Sequence, residues 1–284
     1  MEQPRRGHLA RQVTPAYNRN NAQLYVGDCA EVMAALPAES VDAIVTSPPY
    51  AMQRKTTYGG IPEKEYPAWT VAWMEQARRI LKPDGSVIIN ISPHIKNGNL
   101  SDYVLRTRLA LRDDGWLEPD ELVWHKTDAM PTGARNKPRR AWEHLLWLAK
   151  DKGHYSDALA GGSAPVRKYA RTVTNAASRN GWAHGSSGPL LDNPVVRVSN
   201  VLVAGKAKRT GYDHPAPFPA AVAEWCGKLI CPPGGTILDP FNGSASTGVA
   251  ALRNGWNYIG IDAVPEYIDM SARRLEHEAG KGAA

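Results

Sequence analysis

The chain has 284 residues, three cysteines and a formal net charge of +6. That length lets one large domain, or one domain with an insert, bury a core without staples. Cys29, Cys226 and Cys231 leave one thiol unpaired and carry no metal-ligand spacing, no apolar run reaches the roughly 18 residues of a membrane span, and no signal-peptide pattern follows Met1; the expectation is a cytoplasmic, metal-free protein without a disulfide framework.

Residues 1–21 are polar and aperiodic and read as a mobile arm. Gln23 to Val26 is a short strand candidate ending at Gly27-Asp28, and Glu31 to Leu36 a short helix stopped by Pro37. Val41 to Thr46 is an apolar strand, which Ser47-Pro48-Pro49-Tyr50 must end, because two prolines cannot continue a ladder. Residues 51–65 are polar and read as a loop. The spacing of Val71, Met74, Ala77 and Leu81 predicts a helix over 69–81. A turn at Lys82-Pro83-Asp84-Gly85, a buried strand over 86–91 and a helix over 100–111 follow. Two strands, 121–125 and 144–149, flank a basic loop.

Between 151 and 209 small and polar residues dominate and the apolar period fades, as in an insert with little core of its own or a partly disordered segment. From Lys126 to Thr210 there are 15 Lys/Arg against 5 Asp/Glu, net +10, on a remainder of 19 against 23. Such concentration points to a polyanion facing one segment; charge alone leaves a solvated basic surface equally open. Beyond Pro217, helices over 220–230, 245–253 and 266–277 alternate with strands over 236–238 and 258–261. The alternation implies an α/β fold with a mostly parallel, twisted sheet and helices on both faces.

Two motifs carry chemistry. In the first, the strand at Leu238 ends in Asp239, and a small-residue turn, Pro240-Phe241-Asn242-Gly243-Ser244-Ala245-Ser246-Thr247, opens a helix. Such a turn lets the backbone approach a ligand and offers free N–H groups. A second strand ends in Asp262, where a carboxylate can accept ribose hydroxyls; a helix cap is the plainer role for it. In the second motif the prolines of Ser47-Pro48-Pro49-Tyr50 fix a carbonyl beside a hydroxyl, two acceptors that suit an exocyclic amine, and Tyr50 adds a flat face for a base. A plain Pro-Pro turn is the bland reading of the dipeptide.

Taken together, these segments resemble the amino-methyltransferase family of DNA modification enzymes. Ser47-Pro48-Pro49-Tyr50 is similar to the family's catalytic Asp/Asn/Ser-Pro-Pro-aromatic motif, and Asp239 to Thr247 to its AdoMet loop, usually Asp-Pro-Phe-x-Gly-Ser-Gly-Thr-Thr. His214-Pro215-Ala216-Pro217-Phe218-Pro219 resembles the segment before that loop, Gly27-Asp28 the acid-bearing loop near the adenine, and Trp124-His125-Lys126 with Met130-Pro131 also matches. The catalytic motif precedes the AdoMet loop, the permuted order of the β group.

The resemblance implies a Rossmann-like AdoMet-dependent methyltransferase fold with circularly permuted motif order. The catalytic and AdoMet-binding domain would span 22–126 and 212–284, and a basic target-recognition region 127–211. It implies catalytic residues Ser47, Pro48, Pro49 and Tyr50. S-adenosyl-L-methionine (AdoMet) would be held by Asp28, His214, Pro215, Phe218, Asp239, Pro240, Phe241, Asn242, Gly243, Ser244, Ala245, Thr247 and Asp262. Contacts to double-stranded DNA would come from Lys126, Arg135, Lys137, Arg139, Arg140, Arg167, Lys168, Arg171 and Arg179. Ala245 stands where the family has Gly, and we expect it to be tolerated as a good helix starter.

The reaction implied is in-line methyl transfer to the exocyclic amine of a flipped base, with catalysis mostly from orientation. Ser at the first motif position favours N4 of cytosine, with N6 of adenine as the alternative. A non-catalytic DNA- or AdoMet-binding regulator is the reading of another class, and RNA or a small-molecule amine a third substrate class. No Pro-Cys dipeptide supports a C5-cytosine mechanism. A homodimer and a cognate restriction endonuclease, as in a restriction-modification system, are compatible partners, and the sequence selects neither.

Overall fold

The computed structural model describes residues 13–52, 60–130, 136–162, 197–206 and 219–282. Its elements in chain order are β1 (Tyr17–Arg19), β2 (Ala22–Val26), α1 (Cys29–Ala35), β3 (Val41–Thr46), α2 (Tyr66–Ile80), β4 (Leu81–Ile91), β5 (Ile95–Lys96), β6 (Asn99–Leu100), α3 (Tyr103–Asp113), β7 (Glu121–Lys126), β8 (Trp142–Ala149), β9 (Val201–Ala204), α4 (Ala220–Ile230), β10 (Thr236–Asp239), α5 (Ser246–Arg253), β11 (Asn257–Asp262) and α6 (Pro265–Gly282).

Among the described residues, nine strands form one sheet in the order β1-β2-β11-β10-β3-β4-β8-β7-β9. From β2 to β4 the neighbours run parallel. β8 is antiparallel to β4 and β7, and β9 parallel to β7. Helices cover both faces, as the alternation of elements requires. Residues of β3 divide between them. Ile44 packs with Met33, Trp73, Met74 and Leu111 on the side of α1, α2 and α3. Ala43 and Val45 pack with Val222, Cys226, Val249 and Leu275 on the side of α4, α5 and α6. A fully buried Ile, Val or Met contributes about 1.5–3 kcal/mol, so this two-sided burial holds β3 at the centre of the sheet.

Four features differ from the sequence expectation. Tyr17–Arg19, inside the expected arm, pairs with Ala22–Leu24 as an antiparallel edge strand. Lys82 to Gly85 is the start of β4 rather than a turn: Leu81 pairs with Val41, the register then shifts, and Lys82 Nζ bonds Asp42 Oδ1 at 2.7 Å. Gly85 is needed there, since a Cβ would stand 3.0 Å from the Asp42 carbonyl oxygen. The third helix begins at Tyr103, because Asn99 and Leu100 pair with Lys96 and Ile95. Finally, β8 and β9 come from the region assigned to target recognition, and both complete the main sheet. Among the described residues no helix is long and apolar enough to cross a membrane.

Candidate active site and cofactor cleft

Because β2, β11, β10 and β3 are parallel, their C-terminal ends lie on one edge of the sheet. Gly27-Asp28, Asp262, Asp239-Pro240-Phe241 and Ser47 to Tyr50 meet there, at the carboxyl edge where open α/β sheets take ligands. A cleft of about 200 Å³ opens between them, lined among others by Gly27, Asp28, Cys29, Pro49, Trp69, Phe241 and Asp262. Trp69 packs its ring 5.5 Å from that of Phe241 and forms part of the wall. The Cys29 thiol is pushed up to about 12 by burial and by Asp28, so it offers no thiolate at neutral pH.

The loop after β10 is held by side chains more than it presents them. Asp239 is buried; its Oδ1 accepts the Thr46 hydroxyl at 2.6 Å and the Phe241 N–H at 3.1 Å, and its Oδ2 the Thr247 hydroxyl at 3.0 Å. Burial pushes the Asp239 carboxyl up to about 6 despite these bonds. Asn242 donates to Ser271 Oγ at 2.7 Å and accepts from the Tyr258 phenol at 2.6 Å. Gly260 makes room for that amide, since a Cβ would lie 2.5 Å from Asn242 Oδ1. Arg274 donates to the Ser244 carbonyl and hydroxyl at 2.6 and 3.1 Å. Asp239, Asn242, Ser244 and Thr247 thus spend their side chains on the shape of the loop, while Pro240 and Phe241 line the cleft.

Ala245 stands in the left-handed conformation, φ 55° and ψ 43°, just before α5. It caps the helix from outside rather than starting it, so the helix propensity expected to make it tolerable does not apply. Its cost is backbone strain, about 1–2 kcal/mol for a residue with a Cβ.

Asp262 is buried at the cleft floor, its Oδ2 accepting the Gly243 N–H at 2.8 Å and its Oδ1 the Val264 N–H at 3.0 Å. A carboxylate has about four acceptor sites, so orienting this loop and bonding a ligand hydroxyl are compatible. Asp28 caps α1, its Oδ1 accepting from Ala30 and Glu31 at 2.9 and 3.2 Å. Two carboxylate acceptors, two aromatic faces and a small-residue turn are what a nucleoside needs, and AdoMet fits them: hydroxyls and an amine for the acids, a flat purine for the rings.

Beside the cleft, Ser47 and Tyr50 join a polar cluster that the sequence motifs do not reveal. Asn90 Nδ2 lies 2.8 Å from the Tyr50 phenol, 2.8 Å from Glu143 Oε2 and 3.4 Å from Ser47 Oγ. The phenol donates to Glu143 Oε2 at 2.8 Å, and Glu143 Oε1 takes the Lys126 ammonium. Burial and the Glu143 charge hold the Tyr50 phenol well above its ordinary value, so it stays a donor. A polar residue at a buried strand position, Asn90 within the apolar stretch Val87 to Ile91 of β4 and Glu143 just ahead of Leu145 to Ala149 in β8, was the available signal.

Lys126, expected on DNA, instead pairs with Glu143 and sits 4.9 Å from the Trp124 ring centroid. Arg140, exposed, bonds the Pro93 carbonyl and Ser92 Oγ. Lys137 and Arg139 are exposed and make no hydrogen bond among the described residues. His214, Pro215, Phe218, Arg135, Arg167, Lys168, Arg171 and Arg179 lie outside the described residues.

The model of a family described as DNA methylase matches residues 41–273. The Type II methyltransferase M.ScaI of Streptomyces caespitosus is 30% identical, over 93% of this chain and 84% of its own. The Type II methyltransferase M.PvuII of Proteus hauseri is 28% identical, over 92% of this chain and 85% of its own. Among solved structures, a PvuII DNA methyltransferase described as cytosine-N4-specific superposes with a TM-score of 0.72 at 23% identity, covering 95% of each chain. TTHA0409 from Thermus thermophilus, complexed with S-adenosyl-L-methionine, superposes with a TM-score of 0.61 at 24% identity, over 90% of this chain and 95% of its own.

Proposed function

The chain belongs to the DNA methylase family, AdoMet-dependent enzymes that methylate exocyclic amines of DNA bases, and we propose that this member transfers its methyl group to N4 of cytosine within a specific duplex sequence. The observation that carries the reading is the placement of Ser47-Pro48-Pro49-Tyr50 at the end of β3, with Pro49 in the wall of the cleft floored by Asp262. Ser at the first motif position and the cytosine-N4-specific description of the PvuII relative support cytosine over adenine.

AdoMet supplies an electrophilic methyl on its sulfonium. The chain's own residues do the rest by holding and orienting. Asp28 and Asp262 would take the amine and hydroxyls of the nucleoside end, and Trp69 and Phe241 its flat and apolar parts. Ser47 Oγ and the Pro48 carbonyl, which no local N–H can satisfy, would accept the protons of the target amine and turn its lone pair toward the cleft. Tyr50 would stack the extruded base, offsetting the few kcal/mol of unstacking. The basic residues of 127–211 outside β8 and β9 would track the phosphates. DNA as substrate puts the work in the cytoplasm, and the Type II names of the relatives support a partner endonuclease of the same specificity.

The test is to incubate the protein with unmodified bacterial DNA and AdoMet, digest to nucleosides and analyse by mass spectrometry. N4-methylcytosine is expected; N6-methyladenine would keep the family and overturn the base. Protection of the product DNA from a nuclease cutting at the methylated sequence would support the pairing with an endonuclease.

A further inference from the structure

We propose that Glu143, charge-balanced by Lys126, is a positioning residue for the base site, holding the Tyr50 ring and the Asn90 amide in one orientation beside Ser47. The inference rests on the reading that Ser47 to Tyr50 hold the target base.

Three strands build the cluster. Asn90 comes from β4, Lys126 from the end of β7, and Glu143 from the start of β8, which lies between them. Glu143 is buried, and a buried carboxylate is costly unless it is paired and hydrogen-bonded. Here Oε1 takes the ammonium while Oε2 accepts both the Tyr50 phenol and the Asn90 amide. A leucine would fill the same space without desolvating a charge. What the carboxylate adds is direction.

Two consequences follow from that direction. A phenol tethered at its far end cannot swing about χ1, so the face offered to a base is fixed in place. The amide of Asn90 is nearly symmetrical in shape, and only hydrogen bonding sets which end faces Ser47. The carboxylate selects the N–H end, although this leaves Asn90 Oδ1 buried without a hydrogen-bond partner among the described residues. An amide choosing for itself would not strand its acceptor; Glu143 imposes the orientation.

The experiment is a cycle of Glu143→Gln, Tyr50→Phe and the double variant, assayed for methyl transfer into unmethylated phage DNA, with AdoMet affinity by calorimetry. We expect each single variant to lose about tenfold or more in kcat, with KM for DNA and AdoMet affinity within about twofold. The double variant should be no slower than the slower single, because both changes break one linkage. Wild-type kcat in Glu143→Gln, or multiplied losses in the double, would overturn the proposal. Should Glu143→Gln fail to fold around an unpaired Lys126, Glu143→Leu with Lys126→Met removes both charges and the acceptor of the Tyr50 and Asn90 bonds and should show the same kcat loss; a folded pair at wild-type kcat would overturn it. A readout independent of turnover separates this inference from the proposed function. In protein carrying labelled tyrosine rings, the Tyr50 signals, identified by their loss in Tyr50→Phe, should shift or broaden in whichever position-143 variant folds. Unchanged signals would overturn the positioning role even if the enzyme methylates, and shifted ones would sustain it even if the substrate proves different.

Discussion

Thr46 donates its hydroxyl to Asp239 Oδ1 at 2.6 Å across 193 residues of chain. Thr46 is the last residue of β3, next to Ser47; Asp239 is the last of β10, next to Pro240. The two chemistry-bearing segments are therefore joined by one buried hydrogen bond at their roots. Thr247, two residues into α5, completes the joint by bonding both the Val45 carbonyl and Asp239 Oδ2. The distance between base site and cofactor loop is set by packing inside the sheet.

That joint has a pH dependence. Burial raises the Asp239 carboxyl from 3.8 to about 6 in the folded chain. The unfolded chain ionises first as pH rises, so this group's contribution is fully present below about pH 4 and is lost through pH 6. The loss is on the order of 3 kcal/mol by pH 7. Asp239→Asn removes the titration. In urea unfolding, the stability of the variant relative to wild type should rise between pH 4 and pH 7 by a few kcal/mol. A constant difference across that range would mean that Asp239 is ionised throughout.

Both motifs and most of the central strands were legible in the sequence, because parallel strands buried on both faces leave apolar runs such as Ala43 to Val45 and Val87 to Ile89 and because the prolines fix where β3 ends. The supporting side chains were not legible. Nothing in the local sequence ties Ser271 and Arg274, on a surface-patterned helix, to a loop some thirty residues earlier; that pairing exists only once β10 and β11 lie side by side. Val201 to Ala204 was hidden for a related reason: it is an edge strand, exposed and intermediate by turns, and its partner β7 lies some eighty residues away. The ion pair of Lys126 was hidden because its partner Glu143 reaches it only through the antiparallel β7–β8 pairing.

Ala245 tests the origin of a family departure. If it acted as a helix starter, Ala245→Gly would cost about 1 kcal/mol. In the left-handed conformation, relief of strain offsets the lost methyl and the added chain entropy. Ala245→Gly should therefore leave stability within about 0.5 kcal/mol of wild type, while Ala245→Val, β-branched at positive φ, should cost more than about 2 kcal/mol. Urea midpoints of the two variants check both signs; equal losses would place the residue in ordinary helical geometry.

Asp262 has two duties, and substitutions separate them. Asp262→Ala removes the acceptor for the Gly243 and Val264 N–H groups as well as any bond to a ligand hydroxyl. We expect AdoMet affinity to fall at least a hundredfold, since charged hydrogen bonds are worth about 1.5–3 kcal/mol each and the loop loses its anchor. Calorimetry with the 2′-deoxy analogue of AdoMet isolates the ligand bond. If Asp262 holds a ribose hydroxyl, wild type should discriminate against the analogue and Asp262→Ala should not. Equal discrimination by both proteins would leave Asp262 with the loop alone.

Lys137 and Arg139 stand exposed, while their neighbour Arg140 is bound to the Pro93 carbonyl two residues past the end of β4. Among the described residues these two cations have no partner to give up on meeting a phosphate, whereas Arg140 has one. Each phosphate contact contributes about 0.9 to the slope of log affinity against log salt concentration. Lys137→Ala with Arg139→Ala should lower that slope by about 2 and weaken binding to unrelated duplexes about equally, as read by fluorescence anisotropy over a salt series. Arg140→Ala should change the slope by less and lower stability, because the Pro93 carbonyl loses its donor. A double variant that loses affinity for one sequence only, with the slope unchanged, would assign Lys137 and Arg139 to base edges instead.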